Sequence, residues 1–245
     1  MARILSGKEF AARIKEDAAR GVAELKAAGV LPRLAVIIVG SDPASEVYVR
    51  NKQRTCEELG IRSDHIALPA ETTKEELLAC IEELNVDPEV HGILVQLPLP
   101  AQIAEDKEEI LSHIDPRKDV DGMSPLSAAK VFAGEDDGFP PCTPGAVMEM
   151  LEHYKVDLKG KNVTIVGRSM VVGRPLAMLR LNTGQGCRAC SVTQPSAARP
   201  LNSSAFPWNI ASSVESVNDL PNRRGRDRKH RSELTSSISR AVLST

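Results

Sequence analysis

Three predicted strands, the first and third of them short apolar runs, constrain the fold of this chain more than any other feature. They occupy residues 34–40, 61–68 and 92–98, and a helical pattern follows each of them. Apolar runs of this length, rich in β-branched residues and alternating with helices, are typical of buried parallel strands in βαβ units. A similar run at residues 161–167 begins a second series. The sequence therefore predicts an α/β protein with two lobes, which 245 residues can accommodate.

The helices between these strands are predicted from spacing and from their end signals. Acidic residues follow the threonines at 72–73, which indicates a capped helix start. We expect a short helix over residues 101–112, and another that begins at the cap Thr143 and runs through residue 154. An opening amphipathic helix over residues 7–29 is predicted by five apolar residues at helical spacing, namely Phe10, Ile14, Ala18, Val22 and Leu25.

The helix after the first strand carries Tyr48 and Lys52, which lie one turn apart on one face. Open α/β sheets bind ligands beyond the carboxyl ends of their strands, and this helix begins there. Gln96 lies near the carboxyl end of the third strand. A simpler interpretation makes Lys52 a surface residue whose stem covers a half-buried Tyr48, and makes Gln96 a partner of backbone groups. The residues alone leave both interpretations open.

Two loops are further candidates for ligand binding. Residues 115–122 read D-P-R-K-D-V-D-G, which indicates a tight turn or a ligand loop. Because the rest of a Ca²⁺ loop is absent, we predict no metal site. The segment from Gly167 to Gly173 joins a predicted strand to a helix, an arrangement that directs backbone amides at a phosphate. Arg168 offers a charge for a 2′-phosphate, although the spacing is not G-x-G-x-x-G and an ordinary turn with a surface arginine is the alternative.

The composition argues against several classes of protein. A net charge of −2 is not that of a nucleic-acid-binding protein, and no apolar run approaches the roughly 20 residues of a membrane-spanning helix. The first residues show no apolar segment of a signal peptide. Cys56, Cys80 and Cys142 are scattered and show no disulfide pattern. We expect a cytoplasmic protein with neither nucleic acid nor membrane as a partner.

The composition changes abruptly near residue 180. Residues 1–180 hold 22 Lys+Arg and 29 Asp+Glu, a net charge of −7, whereas residues 181–245 hold 9 and 4, a net charge of +5. Serine rises from 8 in the first 180 residues to 12 in the last 65. Apolar periodicity is largely absent after the change. Such a composition favours disorder, so we treat the two parts as different kinds of sequence.

Five motifs before this change occur in an order that resembles one family. They are S-E-V-Y-V-R-N-K (45–52), G-I-L-V-Q-L-P-L-P (92–100), D-P-R-K-D-V-D-G (115–122), P-C-T-P-G (141–145) and G-R-S-x-x-V-G-R-P (167–175). Over residues 1–180 the chain closely resembles the bifunctional methylenetetrahydrofolate dehydrogenase/methenyltetrahydrofolate cyclohydrolase (FolD-type) family.

The resemblance implies a three-layer α/β folate lobe, a Rossmann-like NADP lobe, a cleft between them and a homodimer. It makes Lys52 the catalytic amine, chiefly for the cyclohydrolase step. Tyr48 would stack on the folate, and Gln96 would hydrogen-bond to Lys52. Asp121 would hold the pterin end of tetrahydrofolate derivatives.

For the cofactor, the resemblance implies that NADP is held by Gly167, Arg168, Ser169 and Gly173. Hydride would leave the one-carbon bridge of 5,10-methylenetetrahydrofolate for NADP⁺ and give a methenyl cation. Water would then open that cation to 10-formyltetrahydrofolate. A lysine can move protons in that step, whereas an arginine stays protonated.

The resemblance ends near Leu181. The family's S-R pair, its D-V-G-I-N strand end and its P-G-G-V-G-P-M-T loop are absent. We therefore expect a catalytic, folate-binding domain over 1–120, a partial NADP-binding domain over 121–181 and an aberrant, disordered or out-of-frame tail over 182–245. The incomplete second lobe predicts impaired activity and a weakened homodimer, and the alternative is a non-catalytic folate-binding remnant.

Three interpretations of the tail remain open. An out-of-frame translation beginning near residues 180–183 explains the sudden loss of pattern and the excess of arginine and serine. A divergent extension could bind nucleic acid through residues 223–231, although no aromatic residues are interleaved there. Cys187 and Cys190 could form a redox or metal site, but they lack partner ligands in the sequence.

Overall fold

The computed structural model describes residues 4–41, 43–135, 139–182 and 188–192. The elements in these ranges are α1 (Gly7–Ala27), β1 (Arg33–Val39), α2 (Pro43–Leu59), β2 (Arg62–Leu68), α3 (Lys74–Val86), β3 (Gly92–Val95), α4 (Lys107–Ser112), α5 (Pro125–Ala133), α6 (Cys142–His153), β4 (Asn162–Val166), α7 (Gly173–Asn182) and β5 (Arg188–Val192).

The first sheet is parallel and has β1 at its centre, in the order β2-β1-β3. Every residue of β1 is buried except Arg33 and Ile38, which are half-buried. The residues of β2 are exposed or half-buried. A central parallel strand must be apolar on both faces because helices cover both of them. The prediction of three parallel strands is confirmed.

Two apolar clusters cover the two faces of this sheet. Alternate residues of β1 enter different clusters, with Ile37 in one and Val36 in the other. The first cluster contains α3 residues such as Leu77, and the second contains α1 and α2 residues such as Val22 and Val49. The sheet therefore lies between two helical layers, and the predicted three-layer α/β architecture is confirmed.

Helix α3 begins with a complete capping box. The Thr73 side chain accepts a hydrogen bond from the Glu76 amide at 3.3 Å, and the Glu76 carboxylate accepts one from the Thr73 amide at 2.8 Å. These two bonds satisfy amides that the helix itself leaves free. They identify Thr73, rather than Thr72, as the cap.

Two helix predictions differ from the structure, and one helix was not predicted. The helix expected over 101–112 begins only at Lys107, since successive turns occupy the residues before it. Helix α6 begins at Cys142, before the predicted cap Thr143, because the Cys142 amide already donates to the Asp121 carbonyl at 3.3 Å. Helix α5 was not predicted at all, although it has a serine cap at Ser124 and a left-handed glycine at its end.

The second sheet pairs β4 with β5 in parallel. Arg188–Val192 lies within the segment expected to be an aberrant tail, 182–245, and it pairs with Asn162–Val166 along its whole length. The absent motifs and the polar composition could not show this pairing, since strand pairing depends on the neighbouring backbone as well as on intrinsic preference. The remaining expectations for the tail concern residues outside the described ranges.

Helices α1 and α6 contact each other. The Tyr154 hydroxyl donates a hydrogen bond to the Ser6 carbonyl at 2.7 Å, and Arg13 Nη1 donates to His153 Nδ1 at 2.9 Å. The His153 ring also lies 5.6 Å from the Phe10 ring, centre to centre. The end of α6 is thereby held against the first lobe.

Within the described part of the chain, none of the helices combines the length and the apolar character that crossing a bilayer requires.

Candidate functional site

Helix α2 follows β1 after a three-residue connection and carries Tyr48 and Lys52. Val49 and Cys56 on the same helix are buried in the second apolar cluster and anchor it to the sheet. Tyr48 is 60% exposed and Lys52 is half-buried. The helix therefore places an aromatic ring at the surface and an amine at the margin of the core.

Cys56 lies one turn beyond Lys52 and differs from it in chemistry. Burial raises the pKa of the Cys56 thiol to about 11, against the lowering effects of the Ser63 side chain and the Lys52 charge. A thiol with this pKa stays protonated near neutral pH and is a poor nucleophile. Cys56 is therefore a packing residue rather than a second reactive group beside Lys52.

Gln96 follows β3 directly, and its backbone amide donates to the Ile37 carbonyl at 2.9 Å. Its side-chain nitrogen donates to the Leu97 carbonyl at 2.8 Å. The side-chain oxygen Oε1 is buried and has no hydrogen-bond partner among the described residues. The expected bond between Gln96 and Lys52 is thus not formed in this structure. An unpaired buried acceptor costs about 1–3 kcal/mol, so Oε1 is a place where a donor would be stabilised.

Asp121 lies beside the same edge of the sheet. The chain around Asp119 forms a parallel bridge to Ile93, and the Ile93 amide donates to the Lys118 carbonyl at 2.8 Å. Two residues further along each chain are Val95 and Asp121. Asp121 therefore lies in a turn that begins at a bridge to β3, and it is half-buried.

Gly122 allows two chain segments to cross beside Asp121. Its φ is +63°, and an added Cβ would lie 2.6 Å from the Phe139 and Pro140 carbonyl oxygens. The Asp121 carbonyl accepts the Cys142 amide at this crossing. The glycine that the sequence placed in a tight turn is therefore required both by its backbone angle and by the close approach.

The turn between β4 and α7 and the first residue of α7 contain the four residues predicted to hold the cofactor. Ser169 Oγ accepts the Val172 amide at 3.1 Å, and the Ser169 carbonyl accepts the Arg174 amide at 3.1 Å. Gly173 packs directly on the Gly167 carbonyl, where a Cβ would overlap it. Arg168 is exposed. Ser169 thus shapes the turn, while Arg168 is free to face solvent or a bound anion.

Sequence reasoning missed the role of Asp119. It is 1% exposed, and its carboxylate accepts hydrogen bonds from the residues that begin α5. The only signal in the sequence was its place five residues before the serine cap Ser124. Among the described residues, no group of three His, Cys, Asp or Glu side chains could hold a metal ion.

Two family models match the chain. The first, the catalytic domain of tetrahydrofolate dehydrogenase/cyclohydrolase, matches residues 5–121. The second, the NAD(P)-binding domain of the same enzymes, matches residues 141–203. The second match continues beyond Leu181, as does the structure with β5.

Relatives and solved structures agree with this match. The chain is 52% identical over 190 residues to "Bifunctional protein FolD 2" of Geobacter sulfurreducens, covering 78% of this chain and 66% of the relative. It is 48% identical to "Bifunctional protein FolD" of Geotalea daltonii, covering 81% and 70%. The bifunctional FolD enzyme of Campylobacter jejuni superimposes with a TM-score of 0.74 at 45% identity, covering 80% and 68%. The FolD of Trypanosoma brucei, solved with NADP and an inhibitor, gives 0.72 at 35% identity, covering 78% and 64%.

The chain is shorter than several of these relatives. It spans 66% of the Geobacter protein and 62% of "Bifunctional protein FolD 1" of Myxococcus xanthus, which is less than two thirds of either. The matched regions nevertheless include both family models, and the identities are near 50%. The chain belongs to the tetrahydrofolate dehydrogenase/cyclohydrolase family.

Proposed function

We propose that this chain oxidises 5,10-methylenetetrahydrofolate with NADP⁺ and hydrolyses the methenyl product to 10-formyltetrahydrofolate. The observation that carries the proposal is that the candidate residues follow strands of the first sheet: α2 with Tyr48 and Lys52 follows β1, Gln96 follows β3 directly, and Asp121 follows the bridge to Ile93. We infer that they converge at the carboxyl edge of this sheet. Parallel α/β sheets bind ligands at this edge. An aromatic surface, an amine, an amide oxygen and a carboxylate together suit a flat, polar pterin with a reactive one-carbon bridge.

Lys52 is the proposed proton-transfer group. Water that adds to the methenyl carbon must lose a proton, and an amine can accept one where a guanidinium cannot. The unpaired Gln96 Oε1 supports this role, because it is an acceptor able to hold the Lys52 amine in one orientation. Tyr48, with its exposed ring, would stack on the folate, and Asp121 would accept hydrogen bonds from the pterin.

The turn between β4 and α7 fits a dinucleotide phosphate. Gly167 and Gly173 carry no side chains where strand and helix meet, and Arg168 supplies an exposed positive charge. Ser169 would keep the turn in shape. When bound, NADP⁺ would supply the hydride acceptor.

Activity in this chain is proposed to be impaired. The family motifs that complete the second lobe are absent after Leu181, so the nicotinamide end of NADP would lose part of its site. The homodimer expected for the family would be weakened for the same reason. The substrates proposed here are tetrahydrofolate derivatives, and we place the protein in the cytoplasm.

The alternative from a different class of function is a folate-binding remnant without catalysis. Two measurements distinguish it from the enzyme. NADPH formation from 5,10-methylenetetrahydrofolate and tetrahydrofolate binding by calorimetry are measured on the 245-residue chain. We expect binding together with NADPH formation slower than that of the Campylobacter jejuni enzyme. Binding without any turnover would favour the remnant, and turnover equal to the reference enzyme would contradict the impaired second lobe.

A further inference from the structure

The buried carboxylate of Asp119 organises the turn that carries Asp121. Asp119 Oδ1 accepts the Met123 amide at 3.2 Å. Oδ2 accepts the Ser124 amide at 3.0 Å and the Ser127 hydroxyl at 2.6 Å. One side chain therefore closes the loop from residue 119 to the first turn of α5, and it uses both carboxylate oxygens to do so.

The backbone of the same loop is fixed at other points. The Gly122 amide donates to the Asp119 carbonyl at 3.2 Å, which closes a tight turn around Val120 and Asp121. The bridge to Ile93 joins the start of the turn to the sheet. Between these anchors Asp121 is half-buried, and its backbone belongs to the closed turn.

The position of Asp119 also suits a carboxylate side chain. Ser124 is the amino-terminal cap of α5 and accepts the Ser127 amide at 3.1 Å. The Asp119 carboxylate thus lies at the positive end of the α5 dipole and accepts charge-assisted hydrogen bonds there. An apolar or amide side chain could not satisfy the same donors.

We propose that Asp119 is a positioning residue for folate binding, which holds the 119–124 turn so that Asp121 faces the pterin. The inference rests on the proposed role of Asp121. Asp119 would then influence the affinity for folate without contacting the ligand. A purely structural role, limited to capping α5, is the competing interpretation.

Asp119→Asn is the most informative variant, because the two carboxylate oxygens accept different backbone amides and the substitution replaces one oxygen by an NH₂ group. The Met123 and Ser124 amides donate to different oxygens, so an asparagine in either orientation leaves one of them facing an NH₂ group. The volume of the side chain is almost unchanged. The turn loses one anchor while the core keeps its packing.

The test is a double-mutant cycle with Asp121, read as the Kd of tetrahydrofolate by calorimetry on the full chain. We expect Asp121→Ala and Asp119→Asn each to raise the Kd, by about tenfold, the equivalent of about 1.4 kcal/mol. The double variant should bind no more weakly than Asp121→Ala alone. Full additivity, or an unchanged Kd in Asp119→Asn, would overturn the positioning role.

Thr73→Ala is the matched control for capping alone, since it removes a helix cap away from the loop. It should lower the Tm by about 2–4 °C and leave the Kd unchanged. If Asp119→Asn also lowers only the Tm, its role is structural and the proposal is wrong. An unchanged Kd in Asp121→Ala would instead refute the proposed folate site itself, and the positioning role with it.

Ser127→Ala keeps the proposal testable if Asp119→Asn does not fold. It removes one of the three hydrogen bonds to the carboxylate and leaves both backbone bonds in place. We expect a smaller rise in Kd, about twofold to threefold, that disappears in the Asp121→Ala background. A rise that persists in that background would contradict the inference.

Discussion

Arg33 shows how single charged residues hold the first sheet together. Its guanidinium donates to Asp64 on β2 at 2.5 Å and to Asp87 after α3 at 2.9 Å. Arg62 donates to the other oxygen of Asp64 at 2.9 Å. Burial favours the neutral acid, but the hydrogen bonds from the two arginines outweigh it and lower the pKa of Asp64. The ionised carboxylate is therefore part of the folded structure.

We predict that Asp64→Asn lowers the free energy of unfolding by about 1–3 kcal/mol at neutral pH. Because the folded pKa is lowered, this contribution is present above the ordinary aspartate pKa of about 3.9 and is lost as the pH falls through the lowered value. Urea denaturation of both proteins should show a difference that shrinks in acid. A difference that is independent of pH would show that the loss comes from packing rather than charge.

Residue type and spacing identified the folate-side candidates but not how Asp119 differs from Asp121. In sequence the two acids are separated by one valine and look equivalent. In the structure Asp119 is buried and its carboxylate accepts three hydrogen bonds, whereas Asp121 is half-buried. The difference depends on the start of α5, whose serine and proline signal was not recognised as a helix start.

At the scale of secondary structure, the turn between β4 and α7 depends on one close contact. We predict that Gly173→Ala, whose Cβ would overlap the Gly167 carbonyl, displaces the helix and costs about 1–3 kcal/mol of stability. NADP binding, measured by calorimetry, should weaken more than tetrahydrofolate binding. Equal weakening of both ligands would argue against a cofactor site in this turn.

Gly7→Ala provides the control for adding a methyl group to a helix start. Gly7 begins α1, and an added Cβ would meet nothing within 4 Å. Alanine also favours the helix by up to about 1 kcal/mol. We expect unchanged or slightly raised stability and unchanged NADP binding, so any loss in Gly173→Ala reflects the local overlap.

The elements that could be predicted from the sequence are those with long apolar periodicity. β1 and α1 followed from composition and spacing because most of their contacts bury apolar side chains. α5 and β5 were missed for a different reason: α5 is short and is defined by its caps, and β5 is defined by its pairing with β4. The caps of α5 are a local signal that apolar periodicity does not detect, and the pairing of β5 is not visible in any window of residues.

At the scale of the whole molecule, the two lobes differ in how completely the family's sequence is present. The first carries every motif expected of it, and the match to the NAD(P)-binding domain ends at residue 203. The Cys187–Cys190 pair and residues 223–231 do not lie in ranges whose side chains the structure describes. The composition change near residue 180 therefore remains the main observation on the origin of the tail.

We predict that the encoding DNA, read in another frame past codon 180, contains D-V-G-I-N and P-G-G-V-G-P-M-T. These are the family motifs that the tail lacks. Restoring that frame should raise the dehydrogenase rate to the level of the Campylobacter jejuni enzyme. If no other frame encodes the motifs, the tail is a genuine extension.

The central claim is that Lys52 at the edge of the first sheet carries the chemistry. The most direct test compares hydrolysis of 5,10-methenyltetrahydrofolate by the unmodified chain, Lys52→Met and the control Lys8→Met, which changes an exposed lysine on α1. We predict that the unmodified chain and Lys8→Met hydrolyse it faster than buffer alone, and that Lys52→Met falls to the buffer rate, a loss of at least about 100-fold in the catalysed rate. Equal rates in Lys52→Met and the unmodified chain would contradict the claim.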